Sequence, residues 1–158
     1  MEKIRPFIKE GQVIADIGCG WGYYTFLLSE LVGHEGRIIS IDLGDECIQS
    51  IKNKAERKGI TNIQGRIASA EDLSFIDDSS VDFIFANGLL CSMENGRPFA
   101  VMEMKRILKP DSYAYISLGA APPFGLVDEA EWNEILSNFT INQGGAFKDL
   151  WAIVGQDL

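Results

Sequence analysis

Residues 13–25, VIADIGCGWGYYT, decide the fold. Val13 to Ile17 is a short apolar run of strand length, interrupted only by Asp16. Gly18, Gly20 and Gly22 then alternate with Cys19 and Trp21, and a helical pattern begins at once, with Tyr24, Leu27, Leu28 and Leu31 at i, i+3, i+4 and i+7. A strand that runs through glycines straight into a helix opens a βα unit. Glycines let the backbone pass close to a ligand, and the N–H groups that start the helix carry a partial positive field suited to a carboxylate or phosphate. Taken alone, the loop fits equally well a tight strand-to-helix turn that binds nothing.

Outward from this stretch the same alternation repeats. Arg37 to Ile41, Asn62 to Ile67, Val81 to Ala86 and Tyr113 to Leu118 are further runs of strand length bounded by Gly, Pro, Asp or Asn. Ile48, Ile51 and Ala55, then Ala100, Met104, Ile107 and Leu108, mark two more amphipathic helices, and Gly33, Gly59 and Pro110 follow the three helices as stops. Ala70 to Phe75 is expected to form only a short helix or turn. A fourth helix is expected over Asp128 to Asn138, with Trp132, Ile135, Leu136 and Phe139 on one face. The tail, FTINQGGAFKDLWAIVGQ, has two extended segments around Gly144 and Gly145 and reads as an antiparallel hairpin. Helix-joined strands must be parallel with right-handed crossovers. The expected fold is therefore α/β: a doubly wound, mostly parallel seven-stranded sheet with helices on both faces and a C-terminal antiparallel hairpin strand, in one domain over residues 1–158.

Composition narrows the function classes. The 158 residues are 46% hydrophobic, enough for one core. No apolar run approaches the roughly 20 residues of a membrane span and MEKIRPFIKEGQ has no signal-peptide core, so a cytoplasmic protein is expected. Cys19, Cys47 and Cys91 are odd in number and widely spaced, which indicates neither disulfides nor zinc. With one His and no clustered ligands, no metal is expected. The net charge of −9 repels phosphate backbones and disfavours nucleic acid. The densest basic group, Lys52, Lys54, Arg57 and Lys58, falls largely on the outer face of its helix and reads as solvated surface. His34, in the turn VGHEG, reads the same way.

The second strand ends IISID, which places Asp42 about 20 residues beyond the glycine loop, where a ribose hydroxyl pair is usually met. A carboxylate offers two acceptors and suits a vicinal diol. The alternative role is N-cap of the helix that starts near Asp45.

At this point the sequence resembles class I (Rossmann-like) S-adenosylmethionine-dependent methyltransferases of the type 11 kind, along nearly its whole length. DIGCGWG is similar to the family's first motif, SIDLGDE to the acidic second, ASAEDLSF to the third, VDFIFANGLL to the fourth, and RILKPDSYAYIS to the segment before the fifth strand. The resemblance implies that Asp16, Ile17, Gly18, Cys19 and Gly20 meet the methionine end of S-adenosylmethionine, with Tyr23 and Tyr24 nearby. It gives Asp42 the ribose, Leu43 one adenine face, Ala70 and Glu71 the adenine edge, and Asn87, Gly88 and Leu89 the floor. Methyl transfer from a sulfonium to a nucleophile held in line can rest largely on proximity, so the resemblance assigns no catalytic residue.

Two other classes share these features. A nicotinamide- or flavin-dependent enzyme also has a glycine loop and a distal acid, but G-x-G-x-x-G from Gly18 would need glycine where Tyr23 stands. A cofactor-binding partner or sensor that has lost transfer activity would keep every motif. Methyltransferases that process arsenite use several cysteines; here the topology lets Cys19 and Cys91 approach one another while Cys47 stays apart, and that substrate is not adopted. Asn87-Gly88-Leu89-Leu90 lacks the Asn-Pro-Pro-aromatic pattern of enzymes acting on planar amide or base nitrogens. A small-molecule acceptor is expected first, a protein second, a nucleic acid third. Few residues precede the first strand, so Leu89 to Arg97 and a lid over Gly119 to Val127 are expected to cover the site. A homodimer mate or partner protein is expected to complete it.

Overall fold

Ile14, Ala15 and Ile17 of β1 (Val13–Ile17) are wholly buried, and a strand apolar on both faces needs helices above and below it. The computed structural model, which describes residues 1–119 and 127–156, supplies both layers. After β1 follow α1 (Tyr23–Val32), β2 (Arg37–Asp42), α2 (Asp45–Arg57), β3 (Ile63–Ile67), β4 (Val81–Asn87), α3 (Leu89–Ser92), α4 (Arg97–Ile107), β5 (Leu108–Ser117), α5 (Glu129–Leu136), β6 (Thr140–Gly144) and β7 (Trp151–Gly155). The sheet order is β3-β2-β1-β4-β5-β7-β6. β1 to β5 are parallel, while β7 runs antiparallel to both β5 and β6. This is the expected doubly wound sheet with an antiparallel end. The strand order reverses between β1 and β4, the switch point where a crevice opens beyond the carboxyl ends of the strands.

One face carries the larger core, in which Ala15, Ile17, Ile84 and Ala86 of the sheet meet Ala100 and Met104 of α4 and Trp132 of α5. The other gathers Ile14, Phe83 and Phe85 under Leu28 and Val32 of α1 and Ile4 of the N-terminal segment. Asp128 caps α5 through a 2.8 Å bond from the Glu131 N–H, an arrangement that contributes about 1 kcal/mol.

Several expectations change in detail. The buried residues of α1 are Thr25, Phe26, Leu28, Ser29 and Val32, so its inner face is rotated from the apolar stripe of Tyr24, Leu27, Leu28 and Leu31. Thr25 donates to Asp16 and Ser29 to Asn62, both at 2.6 Å, and these bonds let hydroxyls occupy core positions. β5 starts at Leu108 rather than Tyr113. Val81 pairs with Leu108 and Phe83 with Tyr113, so the intervening residues bulge, with Asp111 at φ 58°. The four-residue α3 is too short to carry a periodicity and was not anticipated. The turn between β6 and β7 is not tight, since a 3-10 turn at Phe147–Asp149 widens it.

Ala70 to Phe75 forms turns, and Arg106 of α4 stitches this connection down. It donates to the carbonyls of Leu73 and Ile76 and to Glu103 and Asp78, while the Leu73 N–H donates to Glu103. Residues 1–9 form a 3-10 turn at Arg5–Phe7 and are anchored to the sheet through a few side chains. Ile4 is 2% exposed, Phe7 packs edge-on against Tyr113 at 4.8 Å, and the Lys3 ammonium sits 3.9 Å above the Trp151 ring. Of the expected lid, residues 120–126 lie outside the described residues.

Candidate active site

Three glycines make the loop after β1, and each is there for a different reason. All have positive φ: 76° at Gly18, 51° at Gly20 and 82° at Gly22. A Cβ on Gly22 would stand 2.6 Å from Ile51 of α2, so this glycine allows helix packing. One on Gly18 would meet Leu89 of α3 at 3.0 Å. One on Gly20 would meet no atom of the described residues within 4 Å, as close approach of a ligand requires. The N–H groups of Gly18 and Cys19 donate to the Ile41 carbonyl at 2.8 and 3.0 Å and fasten the loop to β2. Among the described residues no side chain caps the N-terminus of α1, which leaves its first N–H groups free of a side-chain partner.

Asp42 closes the other side. Oδ2 accepts the Gly20 N–H at 2.8 Å and Oδ1 accepts the Gly44 N–H at 2.9 Å. The N-cap of α2 is Gly44, with no side-chain bond, so Asp42 is not the cap. Each carboxylate oxygen keeps lone-pair capacity for a diol.

Asp16 is 2% exposed, and its Oδ2 accepts from Thr25 at 2.6 Å. Burial raises its pKa from 3.8 to about 7, against the opposing Thr25 hydrogen bond and with help from the Asp42 charge. A carboxyl poised near neutrality beside a glycine loop is well placed to pair with an ammonium.

A cavity of about 400 Å³ lies at the carboxyl edge between β1, β2 and β4. Ile17, Gly18, Asp42, Leu43, Ala70, Glu71, Gly88 and Leu89 all line it. Leu43, 72% exposed, offers an open apolar face. The Glu71 carboxylate rests directly against Gly96 at the start of α4. Ser92, Met93, Glu94 and Asn95 form one wall, within the stretch Leu89 to Arg97 expected to cover the site. Sequence reasoning missed Thr25, whose only signal was a hydroxyl nine residues after Asp16.

Asp16, Cys19, Gly20, Tyr23, Tyr24 and Asn87 lie outside that cavity's lining. Tyr23 is exposed and meets Tyr24 edge-on at 5.0 Å; Tyr24 tilts over Phe85, which stacks on Tyr115. Asn87 ends β4, where its Oδ1 accepts from buried Ser117 at 2.9 Å and the Ser117 hydroxyl accepts the Gly88 N–H at 3.2 Å.

The cysteines correct an expectation. Cys19 packs with Phe26, Ile51 and Ala55, while Cys91 belongs to the core on the other face. The neighbour of Cys19 is Cys47, close enough to add to its raised pKa. Burial comes first among the causes, followed by Asp16 and Asp42, and the Cys19 thiol stays protonated. Burial raises Cys91 as well. His34 is 90% exposed beside Glu35, as expected of a surface turn. Lys54 and Lys58 lie over the Phe26 ring at 4.4 and 5.9 Å, so part of the basic cluster folds back on the protein. Among the described residues no His, Cys, Asp and Glu form a group of three able to hold a metal, and no helix is long and apolar enough to cross a membrane.

A doubly wound sheet with this strand order, a glycine loop after β1 and an acid ending β2 is the Rossmann-like methyltransferase architecture. Residues 8–147 match the methyltransferase domain family, and the chain belongs to it. It is 29% identical over 139 residues to an arsenite methyltransferase of Aquipseudomonas alcaligenes, covering 84% of this chain and 40% of that protein. It is 37% identical over 111 residues to the chloroplastic 2-phytyl-1,4-beta-naphthoquinone methyltransferase of Arabidopsis thaliana, covering 66% and 40%. The chain thus spans 40% of the length of both relatives. The crystal structure of a SAM-dependent methyltransferase from Aquifex aeolicus superposes with a TM-score of 0.78 at 26% identity, over 97% of this chain and 86% of that one. S-adenosylmethionine is the cofactor that this membership implies.

Proposed function

We propose that the chain transfers the methyl group of S-adenosylmethionine to a small-molecule nucleophile. The observation that carries this reading is the pairing of open space over Gly20 with Asp42, whose carboxylate anchors that glycine and faces the same cavity as Ala70 and Glu71. A ligand with a diol in its middle and an amino-bearing ring at one end fits acceptors spaced in this way. The bound cofactor supplies an electrophilic methyl on a positively charged sulfonium. Asp42 takes the ribose hydroxyls, Leu43 and Leu89 sandwich the ring, and Glu71 accepts from its amino group. Asp16, ionised, pairs with the methionine ammonium, and the unencumbered N–H groups of α1 face the methionine carboxylate. Asp42, Glu71 and Glu94 make the crevice acidic, which favours a cationic cofactor over its neutral-sulfur product and helps product leave.

The relatives that act on arsenite and on a naphthoquinone support a small-molecule acceptor. Trp21, Tyr23 and Leu43 are 65%, 72% and 72% exposed around the crevice, and a second subunit or a partner protein covering them would exclude water during transfer. Calorimetry with S-adenosylmethionine and S-adenosylhomocysteine, followed by a metabolite screen for methyl transfer, tests the reading. Failure of both ligands to bind overturns it.

A further inference from the structure

Arg97 is a buried cation that the cofactor contacts above leave unused. It is the first residue of α4, after the N-cap Gly96, and its side chain is 8% exposed. Nε donates to the Leu90 carbonyl of α3 at 2.7 Å, and Nη1 donates to Glu131 of α5 at 2.7 Å. Nη2 is buried and has no hydrogen-bond partner among the described residues. For stability alone this is a poor choice. A cation in the first turn faces the positive end of the helix dipole, and a buried guanidinium with an unmet donor is not fully repaid by one ion pair. An unbranched apolar side chain would fill the volume without either penalty.

What only the guanidinium supplies is a rigid planar fork that grips two elements in fixed directions. The element held by Nε is α3. Its residues Leu89 and Ser92, with Met93 to Asn95 beyond it, form one wall of the cavity. Leu89 is the side chain that a Cβ on Gly18 would strike, so a shift of α3 reaches the glycine loop directly. On the other flank Gly96, adjacent to Arg97, abuts the Glu71 carboxylate.

We propose that Arg97 is a positioning residue: it clamps α3 to α5, with Glu131 as counter-charge, and so holds the 89–95 wall at the spacing the cofactor needs. It touches no ligand itself. The proposal rests on the methyltransferase reading, because its probe is S-adenosylhomocysteine. The experiment measures the dissociation constant of that ligand by calorimetry for the wild type, R97K, R97M, E131Q and, as a buried control on the same helix, I107V, each well below its own Tm. Lysine keeps the charge but loses the fork, so R97K is expected to bind about tenfold more weakly, E131Q to weaken binding in the same direction, and I107V to lose Tm while keeping its affinity. R97M is expected to bind no better than R97K; if it does not fold, R97K and E131Q still decide. Folded R97K and E131Q with wild-type affinity would overturn the proposal, because a merely structural clamp lowers Tm alone. A wild-type chain that does not bind the probe overturns the methyltransferase reading instead.

Discussion

The carboxylate of Asp42 accepts the backbone N–H of Gly20 at 2.8 Å, across 22 positions of sequence, and so the acid that ends β2 also sets the shape of the loop that ends β1. Removing it therefore acts on the ligand and on the loop together. Asp42→Ala is expected to weaken S-adenosylhomocysteine binding by about 1.5 to 3 kcal/mol, from lost charge-assisted hydrogen bonds. Folding should survive, because Asp42 is only partly buried. Calorimetry on the folded variant checks this, and an unchanged dissociation constant would remove Asp42 from the binding site.

The glycines of the loop separate packing from binding. Gly22→Ala places a methyl 2.6 Å from Ile51 at φ 82°, and is expected to lose about 2 to 4 kcal/mol of stability. Gly20→Ala adds a methyl in open space at φ 51° and should cost about 1 kcal/mol of stability while weakening the cofactor by more than about tenfold. Denaturant unfolding and ligand titration of the two variants measure this; equal behaviour in both assays would refute the distinction.

Asp16 links stability and binding to pH with opposite signs. Its pKa rises from 3.8 to about 7 on folding, so between those values the folded chain holds a proton that the unfolded chain has released. Its contribution to stability is fully present below about 3.8 and is lost as pH rises through about 7. Binding an ammonium needs the ionised form, so cofactor affinity should strengthen over the upper part of the same window. Asp16→Asn is expected to flatten both profiles, read from Tm and dissociation constant against pH. Wild-type profiles in that variant would assign the titration to another group.

Thermal-shift titration should separate the cofactors. S-adenosylmethionine and S-adenosylhomocysteine are expected to raise Tm, and NAD to leave it unchanged, because the proposed reading pairs Asp16 with a methionine ammonium that NAD lacks. A rise with NAD alone reverses the assignment.

Deletion of residues 1–9 should lower stability before it alters chemistry. It strips buried Ile4 and the Phe7 contact with Tyr113 from the sheet, a loss on the order of 2 to 5 kcal/mol. Chemical denaturation of the truncated chain would show it, and full stability would mean that the segment is dispensable cover.

By itself the sequence determined the βα alternation, the antiparallel ending and the role of VIADIGCGWGYYT as the turn at the heart of the sheet. Those signals are local: periods of 2 and 3.6, glycine stops, and strand runs apolar on both faces. α2 followed its stripe of Ile48, Ile51 and Ala55 without change. Only the tertiary structure decided the rest, because it depends on partners far apart in sequence. The inner face of α1 turned toward Thr25 and Ser29 because Asp16 and Asn62 wait there to accept. Cys19 came near enough to Cys47 to feel its charge and packs with Phe26, Ile51 and Ala55, whereas Cys91 packs against a different core cluster. The cavity wall at Ser92 to Asn95 is held by Arg97 and Glu131, residues 34 apart whose pairing no local pattern encodes. A hydrogen bond or a buried charge can be placed only once the backbone has brought its two ends together, and that is a property of the folded chain.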